Sequence, residues 1–239
     1  MLKPPPLRIG VVPYLNARPL VHDLDRHEGL RMDRRAPARL VEMLRDGKLD
    51  AALIPAFALG GRPGARAVRG VAIGSDGPVR SVLLYCRRAP GEIRHWAPDP
   101  DSLSSNALAR ILLAERYGAN PPAASREMAD AVLVIGDPAL KGLAGSWHEV
   151  LDLGEAWRAL TGKPFVYAVW AIREGMDAPG LPDLLREAKR LGVAALSAPW
   201  MAPPAGLAAD SAGREGHGRP DSRPGSQRIP QAAGAAGVR

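Results

Sequence analysis

Residues 37–54, PARLVEMLRDGKLDAALI, decide the fold class. Pro37 suits the first turn of a helix, where a missing N–H costs little. Leu40, Val41 and Leu44 recur at helical spacing, and Gly47 closes the run, so 37–46 predicts a helix. The short apolar run DAALI (50–54) predicts a buried strand directly after it. Upstream, LRIGVV (7–12) predicts another buried strand, ended by Pro13, with a helix from Asn16 carrying Pro19 in its first turn. Strands are expected at 69–75 and at RSVLLYC (80–86). Strand–helix–strand alternation of this kind predicts an α/β sandwich with a largely parallel sheet.

A second series of similar size begins near residue 92. It comprises a strand EIRHWA (92–97) and a helix LSSNALARILLAERY (103–117) with Leu103, Ala107, Leu108, Ile111 and Leu112 on one side. A buried strand DAVLVI (130–135) follows, closed by Gly136-Asp137-Pro138. A weak strand at 150–153, a helix at 154–161, a strong strand FVYAVWAI (165–172) and a last helix at 180–191 complete it. Two such series predict two lobes: 1–87 and 165–196 in the first, 88–164 in the second. The crossovers are expected near 85–90 and 163–168. The 43 residues 197–239 hold 10 Ala, 7 Gly and 6 Pro, a composition that predicts a disordered tail.

Composition narrows the function classes. The chain has 239 residues, 46% hydrophobic and 24% charged, as an ordinary globular protein does. The net charge of +7 is scattered among acidic neighbours and aromatic residues are only 5%, so no nucleic-acid partner is expected. A basic pocket for a small anion explains the same charge. No stretch of about 18 uncharged apolar residues exists, so no membrane span is expected. MLKPPPLRIG lacks the apolar run of a signal peptide, and Cys86 stands alone, which together predict a cytoplasmic protein. There is no GxxxxGK[ST], GxGxxG or GxSxG. The five histidines show neither HExxH nor HxH spacing, so neither a metal nor a dinucleotide cofactor is expected.

Three polar segments are unusual for a purely structural role, and the first of them stands at the carboxyl end of a predicted strand, where open α/β sheets gather ligands. In YLNARPL (14–20), Asn16 either caps a helix or faces a ligand. GSDGPVRS (74–81) is either a hairpin turn or a site loop that carries Ser81. In DPDSLSSN (99–106), Asp101 or Ser102 caps the next helix, or the segment holds a carboxylate at the helix N-terminus.

Taken together, VPYLNARPL (12–20), LRDGKLDAALIP (44–55), SDGPVRSVLL (75–84), DSLSSNALARILLAERYG (101–118), ADAVLVIGDPAL (129–140) and DLGEAWRALTGKPFVYAVWA (152–171) resemble the chorismate dehydratase family, in the family's order. The resemblance implies a two-lobed fold of the type II periplasmic-binding-protein kind. It also implies dehydration of chorismate to 3-[(1-carboxyvinyl)oxy]benzoate, the first step of the futalosine route to menaquinone. On that basis Asn16 and Ser81 are the expected catalytic residues. Ser104, Ser105, Asn106, Arg18, Gly136 and Asp137 are the expected substrate contacts, with chorismate as the small-molecule partner. The segments expected to form the cleft contain no His, Lys or Cys suited to abstract a proton. The substrate's own enolpyruvyl carboxylate is therefore the expected base, while Asp76, Asp99, Asp101 and Asp137 stay open as alternatives. The resemblance ends at Leu196, where family members continue with helices that pack on the first lobe. A non-catalytic carboxylate-binding protein and an inactive shortened member stay open as readings.

Overall fold

The computed structural model describes residues 5–60 and 64–196; the expected disordered tail lies outside these residues. In chain order the elements are β1 (Leu7–Val11), β2 (Leu30–Arg34), α1 (Pro37–Arg45), β3 (Ala51–Pro55), β4 (Ala65–Ser75), β5 (Val82–Cys86) and β6 (Trp96–Ala97). They continue with α2 (Leu103–Tyr117), β7 (Ala131–Ile135), α3 (Asp137–Lys141), β8 (Glu149–Asp152), α4 (Leu153–Thr161), β9 (Phe165–Arg173) and α5 (Leu181–Ala194).

The strands form two sheets, β2-β1-β3-β9-β4 and β6-β7-β5-β8. Each sheet has its own core. Ile9, Leu40, Leu53 and Trp170 are fully buried in the first, and Leu84, Leu108, Leu112 and Leu133 in the second. This is the two-lobed, type II periplasmic-binding-protein-like architecture that the resemblance implies. The largely parallel sheet is corrected, however. β1 pairs in parallel with β2 and β3, and β6 with β7, whereas β9 runs antiparallel to β3 and β4 and β5 antiparallel to β7 and β8. A strand that returns from one lobe to the other enters its sheet from the opposite end, so its direction reverses.

The first crossover is corrected too. β5 belongs to the second sheet, so the chain passes between lobes at 76–81, before β5 rather than after it. The same fact removes the hairpin reading of GSDGPVRS, since β4 and β5 lie in different sheets. On the return, Phe165 and Tyr167 pack with the second core while Ala168 and Trp170 pack with the first. The expected window of 163–168 contains that change. β4 and β9 therefore form one antiparallel ladder, from Ala65↔Arg173 to Ser75↔Phe165, that reaches both cores.

Local departures have local causes. Instead of an α-helix from Asn16, Leu15–Val21 is a 3₁₀ helix with Pro19 inside it, because proline has no N–H to offer and crowds the preceding turn. The strand at 92–97 shrinks to Trp96–Ala97 because the Asp130 carboxylate takes the amides of Arg94 and His95, at 2.9 and 3.3 Å. The buried stripe of α2 is Ser105, Leu108, Ala109, Leu112 and Leu113, while Leu103 and Ile111 are exposed. The helix is thus rotated from the expected face, turning Ser104 and Ser105 inward. β2 and α3 carry too few apolar residues to announce themselves.

Candidate active site

Between the lobes lies an open cleft. The first lobe contributes Tyr14 and Asn16 from the end of β1, and the second contributes Ser102 and Ser105 from the start of α2 and Gly136 from the end of β7. Ser81 enters from the crossing segment, 8% exposed. Both expected catalytic residues thus face one space.

Asn16 does not cap a helix. Tyr14 holds the N-cap position, with no side-chain bond, and Asn16 follows inside the 3₁₀ helix with its side chain exposed at the cleft. Ser81 is fixed by its carbonyl, which accepts the Gly136 N–H at 2.8 Å. Gly136 has φ +66°, and a Cβ there would stand 3.2 Å from the Tyr14 ring. The glycine lets the two lobes meet at this point.

Among the expected substrate contacts the structure separates three groups. Ser105 and Gly136 line the cleft, and Asp137 lines an adjoining depression at its mouth together with Asn16 and Ser81. Asp137 Oδ1 also accepts the Leu15 N–H at 3.4 Å, across the lobes. Ser104 and Asn106 do not line the cleft. Ser104 Oγ accepts the Phe57 N–H at 3.1 Å, tying α2 to the first lobe. The Asn106 amide is closed on Asp99, accepting its N–H at 3.0 Å and donating to its carbonyl at 2.8 Å. The Asn106 amide, spent on such bonds, has little left for a ligand. Arg18 lines a separate depression with His22, Asp25 and Arg34, because the 3₁₀ turn points it away from Asn16.

Sequence reasoning missed Tyr14, Ser102 and Tyr167 as cleft residues. The N-cap of α2 is Ser102, whose Oγ accepts the Ser105 N–H at 3.2 Å while the residue lines the cleft. Burial and the nearby Asp101, Asp99 and Asp137 push the Tyr14 phenol up to about 12, so it remains a donor at neutral pH. Burial likewise raises Tyr167 to about 12; its hydroxyl meets Ser75 Oγ at 3.4 Å. Their signal was present, since Tyr14 heads YLNARPL and Tyr167 sits in FVYAVWA, but aromatic residues beside strands read first as core. Burial also raises the Asp99 carboxyl from its ordinary value, with the Asp101 charge adding to it and backbone hydrogen bonds from Asp101 and Ile135 and the Arg126 charge opposing it.

Of the four carboxylates left open as bases, Asp101 lines the cleft and Asp137 its mouth. Asp76 is 64% exposed and pairs with Arg158 at 2.8 Å, outside the cleft lining. Among the described residues the lining contains no Lys, Arg or His, which corrects the expected basic pocket. An anion here meets hydroxyls, an amide and the N-terminus of α2 instead, with the Asp101 carboxylate beside them. Among the described residues no three His, Cys, Asp or Glu side chains gather as a metal site would need, and no helix is long and apolar enough to cross a membrane.

Comparison with known proteins places this geometry. The chorismate dehydratase of Thermus thermophilus is 33% identical over 216 residues, covering 80% of this chain and 79% of that protein. Two solved structures share the fold at low identity. Protein AF1704 of Archaeoglobus fulgidus has a TM-score of 0.58 at 14% identity, covering 79% of this chain and 75% of its own. YhfZ of Shigella flexneri has a TM-score of 0.53 at 17%, covering 81% and 89%. The family model for menaquinone biosynthesis matches residues 7–202, which takes in both sheets and every residue of the cleft. The chain belongs to that menaquinone-biosynthesis family.

Proposed function

We propose that this protein dehydrates chorismate to 3-[(1-carboxyvinyl)oxy]benzoate, as the name of its Thermus relative suggests. The observation that carries the proposal is that Asn16 and Ser81 line one largely apolar cleft together with the hydroxyls of Tyr14, Ser102 and Ser105 and the Asp101 carboxylate. The reaction removes the ring proton at the carbon bearing the enolpyruvyl ether, together with the adjacent hydroxyl, as one water. The ring becomes aromatic, which supplies the driving force. The protein's task is to hold a dianion in the eliminating pose and to favour departure of the hydroxyl.

In this reading Asn16 and Ser81 orient the ring and hydrogen-bond the departing oxygen. Ser102 and Ser105 hold a substrate carboxylate at the N-terminus of α2, where backbone N–H groups and the helix dipole favour negative charge. The Tyr14 phenol, kept protonated, adds a donor from the first lobe. The substrate's enolpyruvyl carboxylate takes the ring proton. Asp101, which lines the same cleft, is the competing base.

The test incubates the purified chain with chorismate and follows loss of diene absorbance with identification of the product. Conversion to the aromatic ether supports the proposal; binding without conversion sinks it. Asp101→Asn separates the bases. Turnover within a few-fold of wild type is expected, and its abolition with binding intact would assign the proton to Asp101.

A further inference from the structure

At the junction of β8 and α4 one carboxylate gathers four backbone N–H groups from two separate stretches of chain. Gly154 and Glu155 donate to Asp152 Oδ1 at 2.9 and 3.1 Å, an ordinary helix N-cap. The other two donors owe nothing to the helix. Val79 N–H reaches both oxygens at 3.0 Å, and Arg80 N–H reaches Oδ2 at 2.7 Å. Four donors need the lone pairs of two oxygens, which a carboxylate has and a hydroxyl or amide does not.

What this second pair holds is the segment that carries Ser81. Arg80 has φ +61°, a left-handed conformation that residues other than glycine adopt only where their surroundings impose it. Its N–H makes the shortest of the bonds to Asp152. One residue on, the Ser81 carbonyl accepts the Gly136 N–H. Ser81 therefore hangs between two anchors, and its approach to the cleft is set by the turn at Arg80. We propose that Asp152 is the positioning residue for Ser81: by fixing the amides of Val79 and Arg80 it holds the turn that aims the Ser81 hydroxyl at the substrate. The proposal rests on the dehydratase reading only in naming what Ser81 touches.

The decisive variant is Asp152→Ser, which keeps a good helix cap but cannot serve four amides. The melting temperature is expected to stay within about 3 °C of wild type. Displacement of Ser81 should lower kcat on the order of 10²-fold, with KM changed far less. Hydrogen exchange should quicken in the 76–82 segment. Adding Arg80→Gly, which adopts the left-handed turn without restraint, should recover part of the lost kcat. A kcat within twofold of wild type would overturn the proposal. So would a fall in kcat matched by a fall in melting temperature and not relieved by Arg80→Gly, since that describes a cap and nothing more. If wild type leaves chorismate unchanged, the dehydratase reading fails on its own. Faster exchange confined to 76–82 in Asp152→Ser then sustains the clamp, and unchanged exchange there overturns it.

Discussion

A methyl group on Gly154 would stand 2.5 Å from the Gly77 carbonyl oxygen and 2.6 Å from Ser75 Oγ. The first of these is backbone and cannot swing aside, so Gly154→Ala must push the crossing segment away from α4. Overpacking of this kind costs on the order of 1–3 kcal/mol, which at roughly 2–4 °C per kcal/mol is visible in a melt. A melting temperature equal to wild type would show that the segment gives freely. Asn16→Asp tests charge instead of space. The change is nearly isosteric and the residue caps no helix, so stability should hold. A like charge at 4 Å costs on the order of 4 kcal/mol at an effective dielectric near 20. Half of that slows kcat/KM about thirtyfold. Turnover at the wild-type rate would remove Asn16 from the reacting centre. Both residues stand in segments whose polarity and glycines were visible in the chain. Which neighbour each one meets was not, because Gly77 and Ser75 reach Gly154 only through the pairing of distant strands. Ser104 is turned from the cleft for the same reason, its partner Phe57 being brought to it by tertiary position, whereas Asn106 is closed on Asp99 within its own segment, a local bond that the spacing alone does not announce.

Elements were legible where one face is buried and a breaker marks each end. Pro37 and Gly47 bracket α1, and Gly118 at φ 65° ends α2 where the sequence places it. Strand direction was not legible, since a buried run such as LLYC reads alike in parallel and antiparallel ladders. The first sheet is also joined across its strands by charge. Asp50, 6% exposed at its side chain, accepts the Arg8 amide at 2.8 Å and bonds the Arg8 guanidinium at 2.8 Å, with Arg173 of β9 at 3.5 Å. Burial pushes the Asp50 carboxyl up, but the hydrogen bonds from Arg8 outweigh it and the net shift is downward. A carboxyl held below its unfolded value near 4 stabilises the fold above that pH and loses the contribution as pH falls through its folded value. Asp50→Asn should thus cost on the order of 2 kcal/mol at pH 7, short of a fully buried pair because Arg8 is 44% exposed. The gap to wild type should narrow on acidification below about pH 4. A gap that stays constant from pH 7 to pH 2 would show that the loss is packing and not charge.

At the scale of the whole molecule, β9 lies between β3 and β4, and among the described residues β4 has no other partner in its sheet. Chain synthesis runs from the N-terminus, so β4 is made about ninety residues before the strand it needs. The second sheet has no such gap, for β5 to β8 are drawn from one unbroken stretch, 82–152. Assembly therefore has an order. Contacts closer in sequence close first and long-range pairing waits. In pulse-labelled refolding, amides of β5 and β7 should be protected before those of β4. Protection of β4 first, or of all together, would contradict it. All the strands of the second sheet are thus made while the first holds only β2-β1-β3 with β4 unpaired, and β9 then ties β4 into that sheet as it brings Tyr167 to the second core.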